Sequence, residues 1–377
     1  MSWLLQFAGR SDLLSLLMSL LWFIFMLIFL IYPTFSQKIQ LSYMLRDIER
    51  KLLKLKYFRD EVRKRTIQHL NKYSDESIEV DEGVDRLLGS VVIEPVDRDP
   101  YGIMYKLEHI VNTWEETFEN EVRALCPKAD ERTVKTLTNL VEVARGLDYI
   151  YRVIRHYYLL GKKTSNIYIV LQVQMILPQV MEIANAYRQS SYAFAQGQPI
   201  GDGVGVLAAA KLIDGMEKKT YEIAKDTVVQ ETFWNGRKIL VLRAKGPGGA
   251  VGKPGEGVKK LIEAEGDKVK AVITIDAGLK LEGEESGKII EGIGAAIGGI
   301  GVERYKIEEI SKAKGIPLYA FVIYESIAEA ITPMRENIAK AAEKVVEKVK
   351  RLILEKIDDG ATVIVAGIGN TVGIGMT

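Results

Sequence analysis

From Leu13 to Tyr32 the chain reads LLSLLMSLLWFIFMLIFLIY, twenty positions without a charge. About 20 such residues cross the hydrocarbon core of a bilayer, so the pattern predicts a transmembrane anchor within residues 1–35. The run is longer than an ordinary signal-peptide core, and the following TFSQKIQ offers no small-residue cleavage site. Trp22 lies inside the run and Tyr32 at its end, where an amphipathic ring favours the interface. Leu41, Leu45, Ile48, Leu52, Leu55 and Val62 then alternate steps of four and three, with Arg59 in the one missing place. This is a short heptad seam over residues 36–72. It fits a coiled coil that joins anchored chains into a homo-oligomer, which is the expectation retained, and equally an amphipathic helix packed on its own downstream domain.

Residues 73–102 turn polar, with Pro95 and Pro100 against helix continuation, and read as a linker. Helical periodicity returns over 103–195, in three long stretches that predict a bundle. Cys126-Pro127 marks its first turn, Gly161-Lys162-Lys163-Thr164 its second, and Pro178 is expected to kink the third helix. Near Gln196 glycine becomes frequent and short apolar runs alternate with charged helical ones, the signature of an α/β domain over 196–377. KILVLRA (238–244), VKAVITI (269–275), PLYAFVIY (317–324) and ATVIVA (361–366) read as strands. Their near-continuous apolar character predicts a mostly parallel sheet. Helices are expected over 257–265, 307–314 and 336–357.

Charge places the chain relative to the membrane. Only Arg10 precedes the apolar run, whereas Lys38, Arg46, Arg50, Lys51, Lys54, Lys56, Arg59, Arg63, Lys64 and Arg65 follow it. The positive-inside rule then puts the N-terminus outside and the bulk of a single-pass protein in the cytoplasm. The same basic face suits anionic lipid headgroups. Overall, 51 basic residues balance 50 acidic ones, a net charge of +1, and give no global electrostatic case for nucleic acid. A single cysteine, Cys126, excludes an intrachain disulfide and a cysteine cluster. The three histidines, His69, His109 and His156, are widely separated, and neither a metal nor another cofactor is expected.

Candidate chemistry collects in the last domain, just past strand carboxyl ends, where open parallel sheets bind ligands. GPGGAVGKPGEG (246–257) imitates a phosphate loop, but Pro247 stands at the first glycine position and Pro254 replaces the metal-binding hydroxyl residue. GIGNTVG (367–373) follows a strand without a helix after it. The remaining constellation is Asp202 in QPIGDGVGVLAAAKLI and Asp276 in VITIDAGLK. Each is also explained as a cap, Asp202 of the helix that follows it and Asp276 of a turn beside Gly278. Gly201, Gly203 and Gly205 permit a close backbone approach that a cap alone does not require. Glu325, at the end of a strand, is a third acid without an assigned role. The segments 278–287 and 292–301 are glycine-rich connections that suit substrate-binding loops.

GDGVGVLAAAKLI, the strand ending in IDA, the segment EGIGAAIGGIGVERYKIEEISKAKGIPLYAFVIYESIAEAI and the terminal VIVAGIGN together resemble the germination protease and hydrogenase-maturation endopeptidase superfamily. The complete layout also resembles an archaeal family of membrane-anchored proteins of unknown function. The resemblance covers about residues 196–377 and implies a phosphorylase/hydrolase-like α/β fold, with Asp202 and Asp276 in the two acidic positions. It further implies that Gly201, Gly203, Gly205, Gly367, Gly369 and Asn370 line a ligand. VIVAGIGN resembles either the glycine-asparagine strand near the end of germination proteases or, since no strand directly precedes Asp202, the superfamily's first strand displaced to the C-terminus, a circular permutation. The nickel site of the hydrogenase branch needs a histidine, and none follows His156. The implied activity is metal-independent hydrolysis of a peptide or protein substrate by a carboxyl pair, one protonated and one ionised. A non-catalytic peptide- or ligand-binding relative and a structural membrane oligomer remain alternatives.

Overall fold

In the computed structural model residues 2–90, 102–299 and 301–375 are described, with the side chains of all of these except 2–14 and 29–35. The expected prolines of the linker, Pro95 and Pro100, and Ile300 of the 292–301 segment lie outside the described residues. The chain divides into two compact units, one of Met1–Lys56 with Tyr151–Met181, the other of Tyr57–Ile150 with Glu182–Thr377.

The first half is helical. Helix α1 covers Ser2–Asn71, so the apolar run and the heptad segment form one continuous helix. Helices α2 (Val80–Leu88), α3 (Ile103–Leu125), α4 (Glu131–Thr164) and α5 (Ile167–Gln196) follow. Helix α2 corrects the reading of 73–102 as linker throughout: its apolar residues Val80, Val84, Leu87 and Leu88 are all buried, and Arg63 of α1 binds Asp85 at 2.7 Å. The second bundle turn is also displaced. Helix α4 continues through Gly161 to Thr164, and the chain reverses at Ser165 (φ 51°) and Asn166, whose side chain accepts from the Tyr168 amide. Gly161 is a contact residue instead of a turn, since a β-carbon there would strike Val170 of α5. Helix α5 runs through Pro178. Along the heptad seam Ile48, Leu55 and Val62 are fully buried within the single chain.

Among the described residues one helix, Ile167–Gln196, is long and apolar enough to cross a membrane, and 22% of its apolar window is buried. The described apolar stretch at the N-terminus is shorter, Ser15–Ile28, and its large side chains are exposed.

The second half is an α/β domain with a mixed, seven-stranded sheet. Its elements are α6 (Val204–Leu212), β1 (Lys219–Ala224), β2 (Thr227–Trp234), β3 (Arg237–Ala244), α7 (Pro254–Glu265), β4 (Val269–Leu279), β5 (Ile289–Ile293), α8 (Val302–Lys314), β6 (Leu318–Glu325), α9 (Ile327–Ile331), α10 (Glu336–Lys356) and β7 (Thr362–Gly367). Spatial order is β1-β2-β3-β7-β4-β6-β5. The inner four strands, β3, β7, β4 and β6, are parallel; β1 and β2 join one side and β5 the other in antiparallel fashion. The expectation of a mostly parallel sheet is thereby corrected: the antiparallel strands at the margins mix polar residues among apolar ones and do not read as apolar runs. The β2–β3 hairpin turns on Asn235 and Gly236, both at positive φ, as a two-residue loop requires.

Side-chain alternation sorts the core into two layers. Ile239, Val241, Ala271, Ile273, Ile275, Val363 and Val365 meet α6 and α10 on one face. Leu240, Leu242, Val272, Ile364 and Ala366 meet α7 and α8 on the other. Helices thus cover both faces of the parallel strands.

Candidate active site

Helix α6 is seated against the carboxyl ends of β4 and β7 by glycines. A β-carbon on Gly205 would collide with the carbonyl oxygens of Ile275 and Ile368, and one on Gly367 with Ala209 and Gly205. The turn Gly201–Gly203 ahead of α6 is equally tight: Gly201 abuts Glu325 and Glu329, and Gly203 abuts Asn370 and Ile374. Gly369, at φ 128°, lies against the Asp202 carbonyl, where any side chain would clash. Five of the six expected ligand-lining positions, namely Gly201, Gly203, Gly205, Gly367 and Asn370, are therefore occupied in internal contacts. Gly369 lines the cleft described next.

Asp202 does not cap its helix. Neither the turn nor α6 has a side-chain cap, and the Asp202 Oδ2 instead accepts from the Asn370 amide, 2.8 Å away, just past β7. Its Oδ1 accepts no hydrogen bond among the described residues. The Asn370 side chain is committed: Nδ2 donates to Asn139 of α4 and to the Gly249 carbonyl, both at 3.1 Å, and Oδ1 accepts from Val372. This asparagine therefore fixes the backbone that holds Asp202.

Asp276 stands on β4 where β7 has ended, since the β4–β7 pairing closes at Ile275 and Gly367. By alternation it points to the α7/α8 side. Its Oδ1 accepts from Ala277 and its Oδ2 from Gly298, each at 2.8 Å, and it is 4% exposed. The 292–301 segment thus folds onto β4, with the Ala296 amide donating to Thr274 Oγ1 on the same face.

Asp202 and Asp276 line one cleft of about 410 Å³, together with Gly252, Lys253, Gly298, Gly299, Ile368 and Gly369. Glu108, Val111, Asn112 and Glu115 complete it; at i, i+3, i+4 and i+7 they form one face of α3. Lys253 binds Glu115 at 2.6 Å and Lys306 of α8 pairs with Glu108, so α3 is tied across the opening. Those α3 residues were not among the sequence candidates, because only the tertiary fold brings the helix to the strand ends.

Burial, and then the neighbouring Asp202 charge, push the Asp276 carboxyl up to about 8, against the opposing pull of its two amide donors. Burial also raises Asp202, opposed by the Asn370 amide. Glu325 stands apart. Alternation on β6, with Phe321 and Ile323 in the α6/α10 layer, turns it to the opposite face from Asp276. It is 1% exposed, and neither carboxyl oxygen has a hydrogen-bond partner. Burial, followed by Asp202, Glu329 and Asp276, lifts it to about 8, so it is neutral at pH 7. Glu329 beside it is ionised, lowered by Ser286, Ser326 and Arg335 despite its burial.

An acid with a folded pKa above its unfolded one gives stability that is complete below about 4.5 and is lost as pH rises toward 8. Glu325→Gln cannot titrate. Its stability relative to the parent should therefore climb between pH 4.5 and 8, by on the order of 1 kcal/mol per pH unit, and level off above. Thermal unfolding at pH 5, 6.5 and 8 measures this; a constant difference would show that Glu325 does not hold a proton in the folded state.

Among the described residues no group of three His, Cys, Asp or Glu side chains is arranged to hold a metal ion. Comparison with family models gives two matches that meet between α5 and α6: "Protein of unknown function (DUF1512) N-terminal domain" over residues 21–197, and "Domain of unknown function (DUF1512) C-terminal" over residues 200–375. The chain belongs to the DUF1512 family. In this DUF1512 chain the cleft is assembled across that boundary, α3 coming from the N-terminal match and both aspartates from the C-terminal one. No curated protein matches the DUF1512 chain.

Proposed function

We propose that this protein is a membrane-tethered, cytoplasm-facing peptidase in which Asp202 and Asp276 hydrolyse a peptide bond without a metal. The observation that carries the reading is the convergence of two carboxyl groups, from different elements, on one cleft at the carboxyl ends of parallel strands. Asp276 keeps a proton at neutral pH, while Asp202 retains an oxygen without a donor. Asp202 takes a proton from the attacking water as the water oxygen bonds to the scissile carbonyl carbon. Asp276 gives its proton to the departing amine as the C–N bond breaks, and the proton on Asp202 then restores Asp276. Such paired acid–base roles are open to two neighbouring carboxyl groups because the charge of one favours the proton on the other.

The resemblance to germination proteases is supported by the meeting of β7 with α6. The GIGN turn after β7 donates to the acid that opens α6, although the two lie at opposite ends of the domain sequence. In the permutation reading β7 is the displaced first strand. The anchor reading rests on the uncharged run 13–32, on the exposed apolar side chains of Ser15–Ile28, and on the excess of Lys and Arg after it. Homo-oligomerisation through α1 belongs to the same proposal, with its seam partly covered already inside one chain.

A second reading, ligand binding without turnover, is favoured by the α3 roof. A cleft of about 410 Å³ closed by two ion pairs fits a small ligand. Incubating the purified full-length protein with a proteome-derived peptide mixture and reading new termini by mass spectrometry separates the two. The peptidase reading expects cleavage products that Asp202→Asn does not give. Peptide retention without new termini supports the binding reading and rejects the first.

A further inference from the structure

The α4–α5 hairpin carries an unusual composition at its tip. From 149 to 181 there is no Asp or Glu, whereas Arg152, Arg155, Lys162 and Lys163 are basic and Tyr149, Tyr151, Tyr157, Tyr158 and Tyr168 are aromatic. One side of α5 is packed: Val170, Val173 and Leu177 are buried. The other side is bare, with Tyr168 74% and Met175 71% exposed, and Leu171 and Ile176 also open. Leu159 and Tyr157 extend the apolar surface onto α4. This tip, Tyr151–Met181, falls in the same compact unit as Met1–Lys56, which holds the exposed apolar stretch of α1.

The geometry points to a second membrane contact: the α4–α5 hairpin tip docks on an anionic bilayer surface, its bare α5 stripe in the headgroup boundary and Arg155, Lys162 and Lys163 on lipid phosphates and carboxylates. Three features select this occupant. A cationic segment free of acids complements an anionic surface. Tyrosines with an apolar body and a polar tip favour the interface. An apolar stripe opposite a packed face is the pattern of a helix lying in the interfacial plane. Helix α5 is too short there to span: from Ile167 to Met181, fifteen residues, it rises about 22 Å against a core of about 30 Å. Its remaining turns bury Ala184, Ala186, Ala193 and Phe194 in protein. The inference uses the anchor of the proposed function only to bring a bilayer near, and is independent of the aspartate site.

The test uses the full-length protein with the environment-sensitive fluorophore NBD attached at Tyr168→Cys, Met175→Cys or, as a distant control, the exposed Phe233→Cys; Cys126 is buried. Each is reconstituted into vesicles of phosphatidylcholine with or without 30% phosphatidylserine (a chosen test composition, roughly that of an anionic leaflet), containing lipids with nitroxides at shallow or deep positions. Flotation reports separately whether the chain has entered the membrane. Expected are blue-shifted emission and shallow-nitroxide quenching at 168 and 175 in the anionic vesicles but not at 233. Lys162→Glu with Lys163→Glu should reduce the docked population on the order of tenfold, while flotation is retained. Floated protein whose labels at 168 and 175 behave like the control overturns the inference. So does strongest quenching from the deep nitroxide, which means a spanning helix, and so does protection that depends on protein concentration and not on lipid charge, which means a second protein copy on the stripe.

Discussion

Asp276→Asn is expected to lower peptide turnover by roughly 10²- to 10⁴-fold, the usual worth of a positioned acid or base. Asparagine preserves the shape but keeps a single acceptor oxygen for the Ala277 and Gly298 amides, which bind different oxygens of Asp276, and it holds no acid proton to give. The pH profile distinguishes loss of chemistry from loss of fold. In the parent the rate should fall as pH rises through about 8, where Asp276 ionises, and the residual rate of Asp276→Asn should lack that limb. Glu325 titrates in the same range, yet it lies outside the cleft, so Glu325→Gln should leave the limb in place. A limb that vanishes in Glu325→Gln and persists in Asp276→Asn would reverse the assignment of the acid.

Gly205→Ala should have the largest effect on stability. The added methyl meets two backbone carbonyls, those of Ile275 and Ile368, which cannot swing aside as a flexible side chain does. Helix α6 must lift from β4 and β7, at a cost on the order of 3 kcal/mol, or a fall of roughly 6–12 °C in melting temperature for a domain of this size. The same movement displaces Asp202. Gly292→Ala in β5 is the control: a β-carbon there meets nothing within 4 Å, and the variant should match or slightly exceed the parent. Equal destabilisation by the two substitutions would mean that α6 is not seated through Gly205.

Much of this architecture was legible because buried elements write themselves as continuous apolar runs. All four parallel strands were, within a few residues, the runs at 238–244, 269–275, 317–324 and 361–366. The antiparallel strands were not. TVVQETFW and KTYEIA mix polar residues among the apolar ones and never form a continuous apolar run, and β5, IIEGI, is half exposed. The Asn-Gly turn at 235–236 was a readable hairpin signal between two such strands. At the site both aspartates stood out, each being an acid at an apolar boundary. The role of the glycines did not, since a glycine that admits a ligand and one that admits a neighbouring backbone have the same letter. Gly205 and Gly367 proved to be of the second kind. The roof from α3 had no local signal at all, because its residues are ordinary polar positions of an amphipathic helix.

Strand β7 comes last in this sequence yet sits in the middle of the sheet, bonded to β3 on one side and β4 on the other. Strands β1 to β3 and β4 to β6 can each form their own pairings, but no strand pairing joins the two sets until residues 362–367 insert between β3 and β4. The amide of Asn370 that holds Asp202 arrives later still. A chain in which β7 is not yet in place therefore has two separate sets of strands and an unassembled cleft. Completion of the sheet and completion of the site are thereby one event, and whatever the cleft does waits on the insertion of a single strand.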